Sequence, residues 1–185
     1  MRIVAGAWRG RALAVPKGDA TRPTADRVRQ ALFDMLMHAP WCGRRRVEGA
    51  AVLDVFAGTG ALGLEALSRG AGRAAFIEQD AAALAALRAN IAACRAEAAC
   101  RVIAGDARRP PRGEPAGLVF LDPPYGQNLV PQAVRALATA GWVAPGALLV
   151  AETGREEDEP ALGTKLAERT HGAARIGFWQ YGGNA

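Results

Sequence analysis

DVFAGTGALG, residues 54–63, decides how this chain is read. Gly58, Gly60 and Gly63 stand in the spacing G-x-G-x-x-G, and Glu78 follows twenty residues after Gly58. By spacing alone this is a dinucleotide-binding turn, with glycines for a tight strand-to-helix reversal and an acid for a ribose hydroxyl. The flanks fit such a turn. AVLDVF (51–56) is an apolar run of strand length, and Ala61–Arg69 reads as a helix ended by Gly70.

Outward from this turn the pattern alternates. AAFIE (74–78), CRVIAGD (100–106), GLVFLD (117–122) and ALLVAE (147–152) read as further strands. Ala81–Arg95 and Leu129–Ala140 read as helices between them. Strands alternating with helices imply an α/β, doubly wound, mainly parallel sheet. Lys165–Arg169 and Ala174–Gln180 are two more strands joined through His171-Gly172, with no room for a crossover helix, so this pair is expected to be antiparallel. The result is a seven-stranded sheet with an antiparallel last strand, over residues 47–185.

Residues 1–46 read as an N-terminal extension. Ile3–Ala5 and Ala12–Val15 form an expected β-hairpin, and KGDATRPT (17–24) a loop. An amphipathic helix then runs from Thr24, its N-cap, to about Met37, with Val28, Ala31, Leu32, Met35 and Leu36 as its apolar stripe. This extension holds ten Lys or Arg against three Asp, net +7, while the remaining 139 residues hold 13 against 15, net −2. A basic end on a near-neutral body implies a polyanion partner, RNA or DNA. Arg9, Arg11, Arg22, Arg27 and Arg29 are the candidate phosphate contacts. The run REEDEP (155–160) reads as a solvated loop.

Composition excludes other classes. No apolar run approaches the roughly 20 residues of a membrane span, and Arg9 and Arg11 interrupt any signal-peptide core. Cys42, Cys94 and Cys100 include no C-x-x-C pair, which fits idle thiols in a reducing cytoplasm and offers no metal site.

The acids argue against a dinucleotide. Asp54 adds a carboxylate where a pyrophosphate would sit, at the start of a helix. A cofactor with an ammonium group and no phosphate, S-adenosylmethionine, suits it better. Glu78, ending the second strand, is placed to accept ribose hydroxyls, and Asp106, ending the third, to accept an adenine amine.

A second motif follows the fourth strand: Leu121-Asp122-Pro123-Pro124-Tyr125. Two prolines stop a strand and leave a stiff loop with free carbonyls. Asp122 and the Pro123 carbonyl would accept the two N–H bonds of a planar amine, and Tyr125 would stack on its ring.

D-P-P-Y after the fourth strand resembles the signature of methyltransferases acting on exocyclic amines, and with the glycine turn it resembles the class I, Rossmann-like, S-adenosylmethionine-dependent fold. GAWRGRAL (6–13), TRPTADRVRQALFDML (21–36), LDVFAGTGALGLEALSRGA (53–71), IEQD (77–80) and LDPPY (121–125) together resemble the bacterial 16S rRNA guanine-N2 methyltransferase family called RsmD. The resemblance implies a monomer without metal that methylates one guanine of the small ribosomal subunit. It implies Asp122, Pro123, Pro124 and Tyr125 as catalytic residues. For the cofactor it implies Asp54, Phe56, Gly58, Gly60, Glu78, Gln79, Asp106, Ala107 and Asp122. His171-Gly172 departs from the Tyr-Gly often found there, and Arg155–Pro160 matches nothing in the family pattern. A DNA adenine methyltransferase, or an idle RNA-binding protein on the same fold, is the alternative. No covalent intermediate is called for, because the sulfonium is already a good leaving group.

Overall fold

A computed structural model describes residues 1–16 and 23–182, with the backbone alone for 23–25. In chain order the elements are α1 (Pro23–His38), β1 (Ala51–Val55), α2 (Ala61–Ser68), β2 (Arg73–Glu78), α3 (Ala81–Cys94), β3 (Cys100–Ala104), β4 (Ala116–Leu121), α4 (Leu129–Thr139), β5 (Val143–Gly154), β6 (Thr164–His171) and β7 (Ala174–Gln180). The strands form one sheet in the order β3-β2-β1-β4-β5-β7-β6. β1 pairs in parallel with β2 and β4, and only β7 runs against its neighbours β5 and β6. The strand order reverses between β1 and β4, which is where an open α/β sheet opens a crevice.

The strands are apolar on both faces because both faces are covered. Val52, Phe76, Leu118 and Phe120 turn to one side, where Phe33 and Leu36 of α1, Leu64 of α2 and Leu87 of α3 meet them. Their neighbours Leu53, Ile77, Val119 and Leu121 turn to the other, against Val130, Ala133, Val134 and Leu137 of α4. This two-residue alternation fixes the register, since a one-residue slip would exchange the two cores.

The N-terminal hairpin is shorter than expected. Around an antiparallel bridge between Arg2 and Ala12, Ile3 donates to the Arg11 carbonyl at 2.9 Å, Gly10 to that of Ile3 at 2.8 Å and Leu13 to that of Met1 at 3.0 Å, and the pairing goes no further. The reason is competition for backbone donors. Val4 and Ala5 donate to the Glu65 carboxylate at 2.8 and 3.0 Å, and Ala7 and Trp8 donate to the carbonyl and hydroxyl of Ser68 at 2.7 and 3.0 Å. The segment thus lies along α2. Gly6 permits this approach: at φ +81°, a Cβ would stand 1.8 Å from the Ser68 carbonyl oxygen. Further on, Asn90 of α3 holds Ala14 through both its N–H, 2.7 Å, and its carbonyl, 3.0 Å.

β5 is longer than ALLVAE, extending back to Val143. A register irregularity between Ala116 and Leu118 lets the extra residues pair with β4. α1 starts at Pro23, a position where proline's missing N–H costs nothing. The N-cap expectation for Thr24 and the contact expectation for Arg22 fall outside the described residues and side chains.

Candidate active site

The glycine turn follows β1. Its three glycines are needed for different reasons. Gly58 has φ +53° and faces open space, so backbone is exposed there to a ligand. Gly60 caps α2 at φ +77°, and a Cβ on it would meet Leu87 at 2.3 Å. Gly63 lies against the Phe76 ring, which a Cβ would strike at 2.4 Å. The last two therefore seat α2 on β2 and α3. Phe56, at φ +60°, also adopts the left-handed region. Such conformations persist only where surroundings impose them, commonly at functional sites.

The acids do not all meet a ligand as expected. Leu53 and Val55 point to the α4 side, so Asp54 points the other way, beneath α2. It is 1% exposed and accepts the Gly63 amide at 2.8 Å. Burial pushes its carboxyl up to about 8; the Gly63 amide opposes this, and Asp122 and Glu78 add to it. Asp54 therefore fixes the turn from below and does not line the cleft, contrary to the expectation that it faces a cofactor directly.

Glu78 ends β2 and binds the turn from the side. One oxygen accepts the Gly58 amide at 2.7 Å, and the other accepts Gln79 and Asp80 amides at 2.7 and 2.8 Å. Asp80 in turn caps α3 through the Ala83 amide, 2.8 Å. Asp106, beyond β3, is gripped by the Arg108 guanidinium at 2.9–3.1 Å, which holds its carboxyl below the usual range. Arg108, missed in the sequence, thus occupies the carboxylate expected to meet an adenine amine.

A cleft of about 490 Å³ lies over the carboxyl ends of β1 to β4, between Phe56, Glu78, Ala107, Asp122 and Tyr125. Gly105 and Ala107 form its wall beside Asp106. Three carboxylates, Glu78, Asp80 and Asp122, line it without any Lys or Arg. Such a wall repels phosphate and suits a cation. The Phe56, Ile77 and Ala107 surfaces supply the apolar complement that a purine ring needs. S-adenosylmethionine, with an ammonium group and no phosphate, fits this donor set.

A second cavity, about 520 Å³, shares Asp122 and Tyr125 with the first. Glu152 of β5, Arg29 of α1 and the His171–Ala174 turn close its other sides. Asp122 is reachable from these spaces, yet its carboxyl is crowded by protein. That desolvation, with the Glu152 charge beside it, pushes it up to about 7. The Tyr125 phenol donates to Glu152, and burial and that bond raise its pKa. Tyr125 is 44% exposed, and no other large hydrophobic residue among the described residues is exposed. Immediately after it, the Gly126 amide donates to Glu157, whose other oxygen accepts the Gly154 amide at 3.0 Å. The REEDEP run is therefore more than a solvated loop, because its Glu157 fastens the end of the D-P-P-Y segment.

The candidate phosphate contacts separate. Arg9, Arg11 and Arg27 are exposed, although Arg11 donates to the Ala93 carbonyl. Arg29 is 5% exposed and faces inward, to Asp26 at 2.8 Å and Glu65 at 3.7 Å. Glu65 is fully buried, so Arg29 and Arg69 supply the charge that its burial demands. Arg29 serves the fold, and it is not a surface group. Among the described residues, no group of three or more His, Cys, Asp or Glu is arranged to hold a metal ion. No described helix is long and apolar enough to cross a membrane.

Sheet order, antiparallel last strand and acid-lined cleft define a class I methyltransferase fold. The comparisons carry this further. The family model described as "Conserved hypothetical protein 95" matches residues 1–180. Ribosomal RNA small subunit methyltransferase D of Escherichia coli (strain K12) is 42% identical over 164 residues, covering 88% of this chain and 79% of that protein. The chain belongs to this family, that of ribosomal RNA small subunit methyltransferase D. The solved structure of yhhF from Escherichia coli superposes with TM-score 0.83 at 38% identity, covering 100% of this chain and 99% of that one. The T. thermophilus 16S rRNA N2 G1207 methyltransferase (RsmC), in complex with AdoMet and guanosine, shares the fold at 19% identity and TM-score 0.68, over 89% of this chain and 44% of that one.

Proposed function

We propose that this protein transfers a methyl group from S-adenosylmethionine to the exocyclic N2 of a guanine in 16S rRNA of the small ribosomal subunit. The observation that carries this reading is the shared wall. Asp122 and Tyr125 stand between an acid-lined cleft and a second cavity, so a donor on one side and a base on the other would meet at Asp122. Membership of the family and the named action of its Escherichia coli member on ribosomal RNA support the substrate class.

When bound, S-adenosylmethionine would supply an electrophilic methyl group on its sulfonium, the carbon–sulfur bond breaking to leave a neutral thioether and the amine losing one proton after methylation. Glu78, Phe56, Gln79 and Ala107 would hold it, with Gly58 giving close backbone approach. Asp54 would support this from beneath the turn. Asp122 and the Pro123 carbonyl accept the amine's N–H bonds and turn its lone pair toward the cleft. Pro124 stiffens the loop, and Tyr125 stacks on the base once it has left its helix. Positioning of this kind is worth up to about 7–11 kcal/mol in favourable cases. Residues 1–46 serve as the RNA-contacting part, through Arg9, Arg11 and Arg27. Arg22 is a further candidate from the sequence.

Asp122→Ala tests the assignment. Turnover should fall at least about a hundredfold while affinity for S-adenosylmethionine changes little. Equal loss of both would overturn the role given to Asp122.

A further inference from the structure

The second cavity contains a carboxylate that neither the motif nor the cofactor cleft requires. Glu152 lies at the end of the apolar part of β5, half-buried, one strand away from Asp122. One of its oxygens accepts the Tyr125 phenol. The other has no donor among the described residues, and the side chain lines the cavity beside the exposed Tyr125 ring. Two carboxylates thus face one space, with an aromatic platform between them.

Two acceptors side by side call for two donors side by side. Guanine alone among the common bases offers them on its Watson–Crick edge, as N1–H next to the N2 amine. Adenine and cytosine place a lone pair beside their amine, and uracil flanks its one N–H with carbonyls. Building on the function proposed above, we infer that Glu152 is the residue that selects guanine: its free oxygen accepts N1–H while Asp122 accepts from N2. A base with a lone pair at that position would set it against a carboxylate, and a flipped base is read by contacts of this kind. Glu152 does this while holding the Tyr125 ring by its phenol, so platform and reader are fixed to one another.

The test uses two probes, guanosine and 2-aminopurine riboside. The second keeps the 2-amino group but carries a lone pair at N1, and its fluorescence is quenched by stacking. Binding to the full-length wild type, Glu152→Gln and Tyr125→Phe is measured by fluorescence titration and guanosine competition. Wild type should prefer guanosine at least about tenfold, because a site built for an N–H penalises an analogue lacking it. In Glu152→Gln the preference should collapse to within about threefold, since the amide turns to donate as readily as accept. Tyr125→Phe should weaken both probes alike, because the ring is held less firmly, and so keep most of the wild-type preference between them. An unchanged preference in Glu152→Gln overturns the inference. So does an equal loss in Tyr125→Phe, which would mean that Glu152 acts only through the ring. Failure of the underlying reading shows separately, as wild type that places no methyl on guanine in small subunits.

Discussion

Asp54 accepts the Gly63 amide at 2.8 Å and is 1% exposed, so a carboxyl group closes the first turn of α2 from inside the protein. Burial raises this carboxyl to about 8, against an ordinary value of 3.8. The folded state therefore holds a proton that the unfolded state releases. Its contribution to stability is complete below pH about 4 and declines as pH rises toward about 8. Asp54→Asn keeps an acceptor for Gly63 and removes the titration. The stability of wild type relative to this variant should fall with rising pH between those limits, by at most about 1.4 kcal/mol per pH unit. Urea unfolding at several pH values reads it, and parallel curves for the two proteins would contradict it.

Asp122 gives the activity its own pH dependence. Only the ionised carboxylate accepts freely from an amine, and desolvation with the Glu152 charge holds this group near 7. The acid limb of kcat/KM should lie near that value and rise with pH, reporting the free enzyme. Asp54 and Tyr125 also face this carboxyl, but the charge that raises it is that of Glu152. Glu152→Gln removes that charge and should shift the limb to lower pH. A limb that stays in place would mean that the two carboxyls do not interact.

Glu157 ties the Gly126 and Gly154 amides to one carboxylate, and its carbonyl accepts from Arg175 at 2.6 Å. Gly126 follows Tyr125 directly, so loss of this tie loosens the stacking platform. Glu157→Ala should lower kcat by roughly tenfold, since small displacements of a reacting group are costly. KM for S-adenosylmethionine should move less than twofold. Glu157→Gln, which retains an acceptor, should recover part of the rate. Steady-state kinetics of the three proteins decide it, and wild-type kcat in Glu157→Ala would show that the tie has no bearing on the reaction.

Arg9 and Arg27 are exposed and line one surface hollow together. If they meet phosphates, replacing both with Ala should weaken rRNA binding and reduce the slope of log K against log salt by about 1–2. The slope measured between low and moderate salt is the readout. An unchanged slope would remove them from the RNA surface. Arg29, buried on Glu65, should instead lower the melting temperature when replaced, because it leaves a buried carboxylate short of its partner.

The parts of this molecule legible in the chain are those governed by local chemistry. AVLDVF announces a strand covered on both faces, and the two prolines after Asp122 announce where a strand stops. The antiparallel pair at the end follows from the lack of residues for a crossover. What escaped reading depends on partners far away in sequence. Nothing in residues 4–8 reveals that Glu65 and Ser68 would take amides there and cut the hairpin short. Arg29 looks like any helix arginine until Glu65 is found beneath it. Asp106 gives no sign of Arg108 folding back on it, though only one residue separates them. Glu157 sits in an acidic run of which one member turns inward, and only tertiary contact with Gly126 shows which. Glu152, the acid that closes ALLVAE, was the exception: its place at a strand end matched that of Asp122, and this parallel could have drawn attention to it.

The measurement that tests the central claim most directly offers labelled S-adenosylmethionine and this protein to small ribosomal subunits from cells lacking it, to naked rRNA and to duplex DNA, followed by digestion to nucleosides. The account predicts label in N2-methylguanosine from ribosomal RNA, lost with Asp122→Ala. Label in N6-methyladenine from DNA, or no label in any nucleoside, would contradict it.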